Sequence, residues 1–175
     1  MVEVREFRQS DWPIVWAIIH DVVSAADTFP YDPAMSERQA RETWLFSPPG
    51  LTVVAVDADR VVGTAALGPN RPGPGSHIST GSFMVAAESR NRGVGRALGE
   101  YALAWARREG YAAMQFNAVV ETNTAAIRLY ERLGFVTLCT VPGAFEHPSR
   151  GRVGLNLMLC DLSSAPVQSI SATTE

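Results

Sequence analysis

Two hydrophobic periods run through the chain, and each predicts a different kind of element. Apolar residues that alternate with polar ones, or that form short β-branched runs, predict strands. Seven segments have this pattern: residues 2–7, 51–56, 61–67, 77–85, 113–120, 135–141 and 153–159. Apolar residues three and four positions apart predict helices, over residues 10–26, 36–46, 94–109 and 123–134. Strands interspersed with helices indicate one α/β domain.

Polar and turn-forming residues separate these segments. Ser36 and Gln39 have the spacing of a capping box, which begins the second helix. Residues 68–76 contain three prolines and three glycines, which predicts a loop. Residues 142–152 predict a second turn-rich loop, between the last two strands. Because residues 163–175 are small and polar they are predicted to fray, so the domain comprises residues 1–162 and the flexible tail residues 163–175.

Composition narrows the class of protein. The net charge of −3 argues against a general nucleic-acid-binding protein. The sequence has no apolar run as long as a membrane span, and its first residues lack the hydrophobic segment of a secretory signal, so a cytoplasmic protein is expected. Cys139 and Cys160 lie in apolar runs, which predicts buried free thiols rather than a disulfide or a metal site.

The stretch from Arg90 to Arg96 lies between a predicted strand and a predicted helix and contains Gly93 and Gly95. A tight turn into a helix directs unpaired backbone N–H groups and the positive end of the helix dipole at one point, which favours phosphate. A Walker A loop is excluded because the sequence contains no lysine. A dinucleotide fingerprint is disfavoured because its third glycine is missing. The loop therefore predicts another phosphorylated cofactor, with solvated arginines beside a glycine turn as the alternative.

A second motif follows about 30 residues downstream. Residues 123–135 have an amphipathic pattern closed by a glycine, which suits the left-handed position after a helix. Together, Arg90-x-x-Gly93-x-Gly95 and Asn123-x-x-Ala-x-x-Leu-Tyr130-x-x-x-Gly-Phe resemble the two signatures of the GCN5-related N-acetyltransferase (GNAT) superfamily. The resemblance covers about residues 2–162. It implies a mixed, twisted, mostly antiparallel sheet of about seven strands, with helices on both faces and a splay beside the strand that precedes the loop.

The resemblance also implies an acyltransferase that uses acetyl-CoA as cosubstrate and no metal. Backbone groups of Phe83, Met84 and Val85 are expected to pair with the pantetheine arm and to polarise the thioester carbonyl. The pyrophosphate is expected to bind Arg90, Asn91, Arg92, Gly93, Val94, Gly95 and Arg96. Asn123 is expected to contact the pantetheine or thioester, and Tyr130 to contact the cofactor and act as the general acid for the departing thiolate. The alternatives are that Asn123 is only a helix cap and Tyr130 only a core residue.

Residues outside these motifs bear on the acceptor. Phe29 and Tyr31 lie in a stretch that resembles the phosphinothricin and amino-acid sulfone acetyltransferases, where this region lines the acceptor site. Residues 69–78 and the segment around Asn117 are similar to the L-azetidine-2-carboxylate (proline-analogue) acetyltransferases. A buried amide needs hydrogen-bond partners, so Asn117 is expected either to brace a loop or to bind substrate. Thr80 stands where those relatives tend to carry an asparagine implicated in holding the acceptor carboxylate.

The implied function is therefore N-acetylation of a small amine, an amino acid or an analogue, by direct attack in a ternary complex. A protein N-terminus or lysine as acceptor, and a non-catalytic acetyl-CoA sensor, remain alternatives. The base stays open between Glu121, Glu88, His77 and ordered water. Arg150 and Arg152, near the last hairpin, are candidate counter-charges for a carboxylate. The superfamily resemblance also implies a homodimer.

Overall fold

The computed structural model describes residues 2–163, and these form one mixed sheet covered by helices. The strands are β1 (Glu3–Glu6), β2 (Leu51–Asp57), β3 (Arg60–Pro69), β4 (Ile78–Val85), β5 (Ala113–Val120), β6 (Val136–His147) and β7 (Gly151–Asp161). The helices are α1 (Trp12–Ser24), α2 (Glu37–Trp44), α3 (Val94–Arg108) and α4 (Thr124–Arg132). Short 3-10 turns cover Gln9–Asp11, Gly73–Gly75 and Ala87–Ser89. The tail predicted for residues 163–175 lies, after Ser163, outside the described residues.

The strand order is β1-β2-β3-β4-β5-β7-β6. Only β4 and β5 pair in parallel, and the five other neighbouring pairs in the described sheet are antiparallel. Antiparallel neighbours need only short turns, whereas the parallel pair needs a crossover, which α3 supplies. The predicted mixed and mostly antiparallel sheet of seven strands is confirmed.

Two hydrophobic layers hold helices on opposite faces of the sheet. On one face α3 packs through Leu98, which is fully buried in the same hydrophobic cluster as Met114 of β5. On the other face α1 and α2 pack through Trp12 and Trp44. Each fully buried side chain of this kind contributes roughly 1.5–3 kcal/mol relative to exposure to water. The amphipathic patterns in the sequence therefore correspond to two separate contact surfaces.

A glycine on β3 allows α3 to lie close to the sheet. A Cβ atom at Gly63 would be 2.9 Å from Cγ1 of Val94 and 3.1 Å from the backbone oxygen of Met84. No side chain fits there without displacing the first turn of α3 or the backbone of β4. This contact thus places the start of α3 beside the end of β4, which is where the predicted phosphate loop lies.

The loop predicted for residues 142–152 is wrong. Strand β6 continues to His147 and β7 begins at Gly151, so the turn itself covers residues 148–150. The register between the two strands shifts between Val141 and Phe145, and Gly143 adopts a φ of +63°. The proline and glycine in this segment therefore mark a β-bulge inside a strand, a feature that has the same sequence signal as a turn.

The two cysteines differ in exposure. Cys160 on β7 is buried, as predicted, and burial raises the pKa of its thiol. The prediction for Cys139 is wrong, because it is exposed. It lies on β6, an edge strand whose residues from Val136 to Ala144 are all exposed to solvent. An apolar run predicts burial only where a helix or another strand covers it.

Candidate active site

The sheet opens between the two parallel strands. Only two residue pairs join them, Ile78 with Ala113 and Ser79 with Met114. Beyond Ser79 the two strands diverge, and the edge of β4 from Thr80 to Val85 that faces β5 has no ladder partner there. Unpaired edge groups can bind an extended ligand as another strand would. The predicted splay beside Val85 is thus present, and it includes Phe83 and Met84.

The loop after β4 presents backbone N–H groups at the mouth of this opening. Gly93 is the N-cap of α3 and has a φ of +81°, and Asn91 has a φ of +59°. The first helical hydrogen bond runs from the N–H of Ala97 to the oxygen of Gly93, so the N–H groups of the three preceding helical residues have no helical partner. The position of a Cβ at Gly93 has nothing within 4 Å. This open cradle of N–H groups fits a phosphate group.

The three arginines of the loop have different surroundings. The side chain of Arg92 donates to Asp57 at 3.0 Å, and that of Arg96 donates to Glu100 at 2.8 Å. Arg90 has no ion-pair partner among residues 2–163, and all three are exposed. Because exposed ion pairs of this kind contribute little to stability, the arginines can exchange partners at little cost.

The start of α4 places Asn123 beside the same opening. Its side-chain oxygen accepts a hydrogen bond from the N–H of Ala126 at 3.2 Å, and its backbone oxygen accepts from Ile127 at 3.1 Å. Asn123 therefore caps the helix. Its side-chain nitrogen has no hydrogen-bond partner within the described part of the chain, so the cap leaves a donor available to a ligand.

The ring of Tyr130 belongs to an aromatic cluster that bridges the diverging strands. Its centroid is 4.6 Å from that of Phe116 on β5, 6.2 Å from that of Phe83 on β4 and 5.9 Å from that of Phe135. Its hydroxyl has no hydrogen-bond partner within residues 2–163. Burial raises the pKa of this phenol above its usual value, so the hydroxyl stays protonated at neutral pH.

The aromatic residues between α1 and α2 pack against the other face of β4. The ring of Phe29 lies 5.5 Å from that of Tyr31 and 6.4 Å from that of Trp44. Burial raises the pKa of Tyr31, and a hydrogen bond with the side chain of Ser82 partly offsets this shift. The structure thus brings Tyr31 to β4 within the segment that faces the opening.

The two polar residues predicted for the acceptor have different surroundings. Thr80 is partly buried on β4, opposite Gly68. Asn117 is exposed, not buried as its apolar strand suggested. Its side-chain nitrogen donates to the side chain of Asn70 at 2.7 Å, and its oxygen accepts from Gln115 at 2.8 Å. Both ends of the amide are therefore engaged, and the contact with Asn70 braces the loop between β3 and β4.

The residues considered as bases have ordinary surroundings. A side-chain oxygen of Glu121 accepts a hydrogen bond from the backbone N–H of Gly154 at 2.5 Å, which ties β5 to β7. His77 and Glu88 are exposed, and His77 contacts the backbone oxygen of Pro74 at 3.0 Å. None of these contacts singles out one of the three as the base.

A cleft adjoins Asn123 and was not predicted from the sequence. Its volume is about 350 Å³. The residues that line it include Asp27, Thr28, Thr122, Asn123, His147 and Arg150. They come from three segments that are far apart in the sequence. Since residues 142–152 were predicted as a loop without a fixed position, sequence patterns gave no signal that this turn reaches the end of β5.

Two further kinds of feature are lacking within residues 2–163. No helix there is long and apolar enough to cross a bilayer. No group of three or more histidine, cysteine, aspartate or glutamate side chains there is arranged to hold a metal ion.

This chain is similar to known proteins in both sequence and fold. The sequence model of the acetyltransferase (GNAT) family matches residues 5–135. A solved GCN5-related N-acetyltransferase from Kribbella flavida is 51% identical, with a TM-score of 0.90, and the match covers 92% of this chain and 98% of that one. The N-acetyltransferase aca1 of Schizosaccharomyces pombe is 33% identical over 128 residues, or 65% of this chain. The chain spans 61% of the length of aca1, and smaller shares of two further curated relatives.

A more distant structure shares the fold alone. The phosphinothricin acetyltransferase of Sinorhizobium meliloti, solved in complex with acetyl-CoA, is 19% identical to this chain. Its TM-score is 0.78, and the match covers 98% of this chain and 96% of that one.

Proposed function

Since this chain belongs to the acetyltransferase (GNAT) family, we propose that it is an N-acetyltransferase that transfers the acetyl group of acetyl-CoA to the amine of a small molecule. The acceptor is an amino acid or an amino-acid analogue, which attacks directly within a ternary complex. The observation that carries this proposal is the opening between β4 and β5, next to the unpaired N–H groups that begin α3. An extended thioester with a pyrophosphate needs such a slot and such a cradle.

The chain offers binding groups for both parts of the cosubstrate. The N–H groups after Gly93 suit the pyrophosphate, and the nearby Arg90 adds positive charge. The free edge of β4 up to Val85 suits the amide groups of the pantetheine arm. Asn123 follows β5, the strand on the other side of the opening, and retains a free side-chain N–H group. The other residues of the loop between β4 and α3 fix the backbone conformation that presents these N–H groups to the pyrophosphate.

Acetyl-CoA supplies an activated acetyl group as a thioester. The protein has to hold the two reactants together, stabilise the developing oxyanion and assist departure of the thiolate. Backbone N–H groups of the β4 edge can stabilise the oxyanion. The protonated hydroxyl of Tyr130 can donate a hydrogen bond to the departing sulfur. The same hydroxyl can pass its proton to the departing thiolate as general acid, and the attacking nitrogen loses its own proton to ordered water or to a base.

A thiol-release assay tests this function. Acetyl-CoA is supplied with small amines, free amino acids, proline analogues, phosphinothricin and short peptides, and cosubstrate binding is measured separately by calorimetry. Turnover on a free amino acid or an analogue is expected. Turnover on peptides alone would replace the small-molecule acceptor with a protein acceptor. Tight acetyl-CoA binding without turnover on any amine would replace the enzyme with a sensor.

Assembly, location and the domain limits are part of the same proposal. We propose a homodimer in the cytoplasm, with residues 1–162 sufficient for activity and residues 163–175 dispensable. Light scattering after size exclusion measures the dimer, cell fractionation measures the location, and truncation after Leu162 tests the tail. A monomeric mass, or a truncated chain without activity, would contradict the respective statement.

A further inference from the structure

We propose that the cleft beside Asn123 recognises a zwitterionic acceptor, and that Arg150 binds the free carboxylate of that amino acid. This inference rests on the proposed function and adds the charge on the acceptor and the side chains that recognise it. It also states which acceptors are rejected: amines without a carboxylate, including protein N-termini and lysine side chains.

The cleft adjoins Asn123, the residue expected to contact the thioester region. The connection after α1 borders it with Asp27, the turn between β5 and α4 borders it with Thr122 and Asn123, and the β6–β7 turn borders it with Arg150. Asn123 thus belongs both to this cleft and to the motif expected to contact the thioester region. A volume of about 350 Å³ is near the lower limit of ordinary ligand pockets, which suits a molecule as small as an amino acid.

Two opposite charges line this cleft without neutralising each other. Asp27 and Arg150 have no ion-pair partner among residues 2–163, and they do not pair with each other. An amine without a carboxylate would leave Arg150 without a counter-charge, and Arg150 would repel a polycation. A zwitterion offers a carboxylate to Arg150 and an ammonium group to Asp27, and the ammonium group releases one proton to ordered water before its nitrogen attacks. Because guanidinium groups bind carboxylates through parallel hydrogen bonds, Arg150 is suited to the carboxylate end.

Hydrogen-bond donors reinforce the recognition of an anion. The Nδ1 atom of His147 accepts a hydrogen bond from the backbone N–H of Ser149 at 3.2 Å. A neutral imidazole that accepts at Nδ1 carries its proton on Nε2, so the other side of the ring is a donor. Thr124 and Ala125, in the first turn of α4, also line this cleft, and their N–H groups have no helical partner.

The wall of the cleft contains an unsatisfied hydroxyl. The Oγ1 atom of Thr122 is buried and has no hydrogen-bond partner within residues 2–163. Buried hydroxyl groups in folded proteins normally have a partner. Rotation about one bond moves this hydroxyl, so Thr122 can donate to a ligand oxygen. The arginine, the imidazole, the hydroxyl and the two amides belong to residues that line one cleft, and each is able to donate to a carboxylate.

The sequence nominated two arginines for this role, and the structure separates them. Arg150 lies in the turn and lines the cleft, whereas Arg152 lies two residues later on β7 and does not. Both are exposed, and neither has an ion-pair partner in the described part of the chain. Arg152→Gln is therefore a control matched in charge, exposure and neighbourhood.

The first experiment compares amino acids with their carboxamides in the thiol-release assay. The amide of an amino acid has a less basic amine, more of which is neutral at pH 7, so intrinsic reactivity favours the amide. The proposal predicts the reverse order, with kcat/KM about 10- to 100-fold higher for the acid, as expected for charge-assisted hydrogen bonds. Equal values for the two forms, or a preference for the amide, would overturn it.

The second experiment assigns the preference to its side chain. Arg150→Gln is expected to raise KM for the acids about 10- to 100-fold and to leave KM for the amides within about threefold, whereas Arg152→Gln is expected to change neither. Thr122→Val is expected to raise KM for the acids without lowering the melting temperature, because no hydrogen bond is lost. Parallel losses for acids and amides in Arg150→Gln would show a structural role and contradict the assignment.

The two proposals fail in different ways. If no amine releases thiol, the proposed function fails, and acid–amide pairs are then compared for binding by saturation-transfer NMR. Acid binding that is lost in Arg150→Gln and retained in Arg152→Gln would still support the cleft as a zwitterion site. Acid binding that is absent, or the same in both variants, would overturn the cleft assignment whether or not the protein is an enzyme.

Discussion

Replacement of Tyr130 by phenylalanine tests the chemical role of this residue with little structural change. The ring keeps its contacts with Phe83 and Phe116, and no hydrogen bond within residues 2–163 is lost. The free energy of unfolding should therefore change by less than about 0.5 kcal/mol. Loss of one hydrogen-bond donor to a developing charge typically lowers kcat about 10²- to 10³-fold, or roughly 2.7–4 kcal/mol. Catalysis and stability should thus separate clearly.

The assay combines steady-state thiol release, thermal unfolding and acetyl-CoA calorimetry. We expect kcat to fall about 100-fold, with the melting temperature and the acetyl-CoA dissociation constant nearly unchanged. Tyr111→Phe is the matched control, because Tyr111 also packs against an aromatic ring, at 5.1 Å from Trp105, and burial also raises its pKa. A kcat within threefold of wild type in Tyr130→Phe would refute the role in thiolate departure and leave Tyr130 as a core residue.

The pH dependence of the wild-type enzyme gives a second check on the same residue. Burial raises the pKa of Tyr130, so the folded protein retains the phenolic proton beyond the pH at which a free tyrosine loses it. We therefore expect no loss of kcat from ionisation of Tyr130 below about pH 10. A basic limb near neutral pH that disappears in Tyr130→Phe would contradict this reasoning.

Three further substitutions test the loop and the fold. Gly93→Ala and its control Gly110→Ala place a side chain at φ values of +81° and +78°, with nothing within 4 Å. Each should cost about 1–2 kcal/mol of unfolding free energy, but only Gly93→Ala should weaken acetyl-CoA binding. Equal acetyl-CoA dissociation constants in calorimetry would contradict the assignment of this loop to the pyrophosphate. Gly63→Ala should cost about 1–3 kcal/mol in denaturant unfolding, because backbone lies 3.1 Å from the new Cβ; an unchanged midpoint would refute the close packing of α3. Asp11→Asn should cost about 1.5–3 kcal/mol at pH 7, because the side chain of Asp11 accepts two hydrogen bonds from Arg5 at 2.8 Å. Arg5 lowers the pKa of Asp11, so the wild-type advantage should be present above about pH 4 and shrink as the pH falls through the lowered pKa; a constant difference down to pH 2 would contradict it.

The elements and the glycine turn before α3 were predictable because their causes are local. Residues that alternate or recur at helical spacing reflect a single strand or helix, and the observed elements follow those patterns closely. The left-handed φ of Gly93 and the cap at Asn123 also depend on residues within one turn. Errors arose where one signal has two structural meanings. Proline and glycine in residues 142–152 mark a bulge within β6, and the apolar surroundings of Cys139 belong to an uncovered edge strand.

The sequence by itself therefore determined the order of strands and helices along the chain, the turn with unpaired N–H groups after β4, and the superfamily. Only the tertiary structure decided that Asn117 braces a loop through Asn70, that the aromatic cluster of Tyr130 bridges two diverging strands, and that Asp27 and Arg150 line one cleft. Local patterns depend on neighbours within a few residues, so a segment keeps them whatever its position in the fold. Burial, charge pairing and clefts arise from segments that come into contact only after the sheet has assembled. The periodicity of the sequence therefore does not predict them.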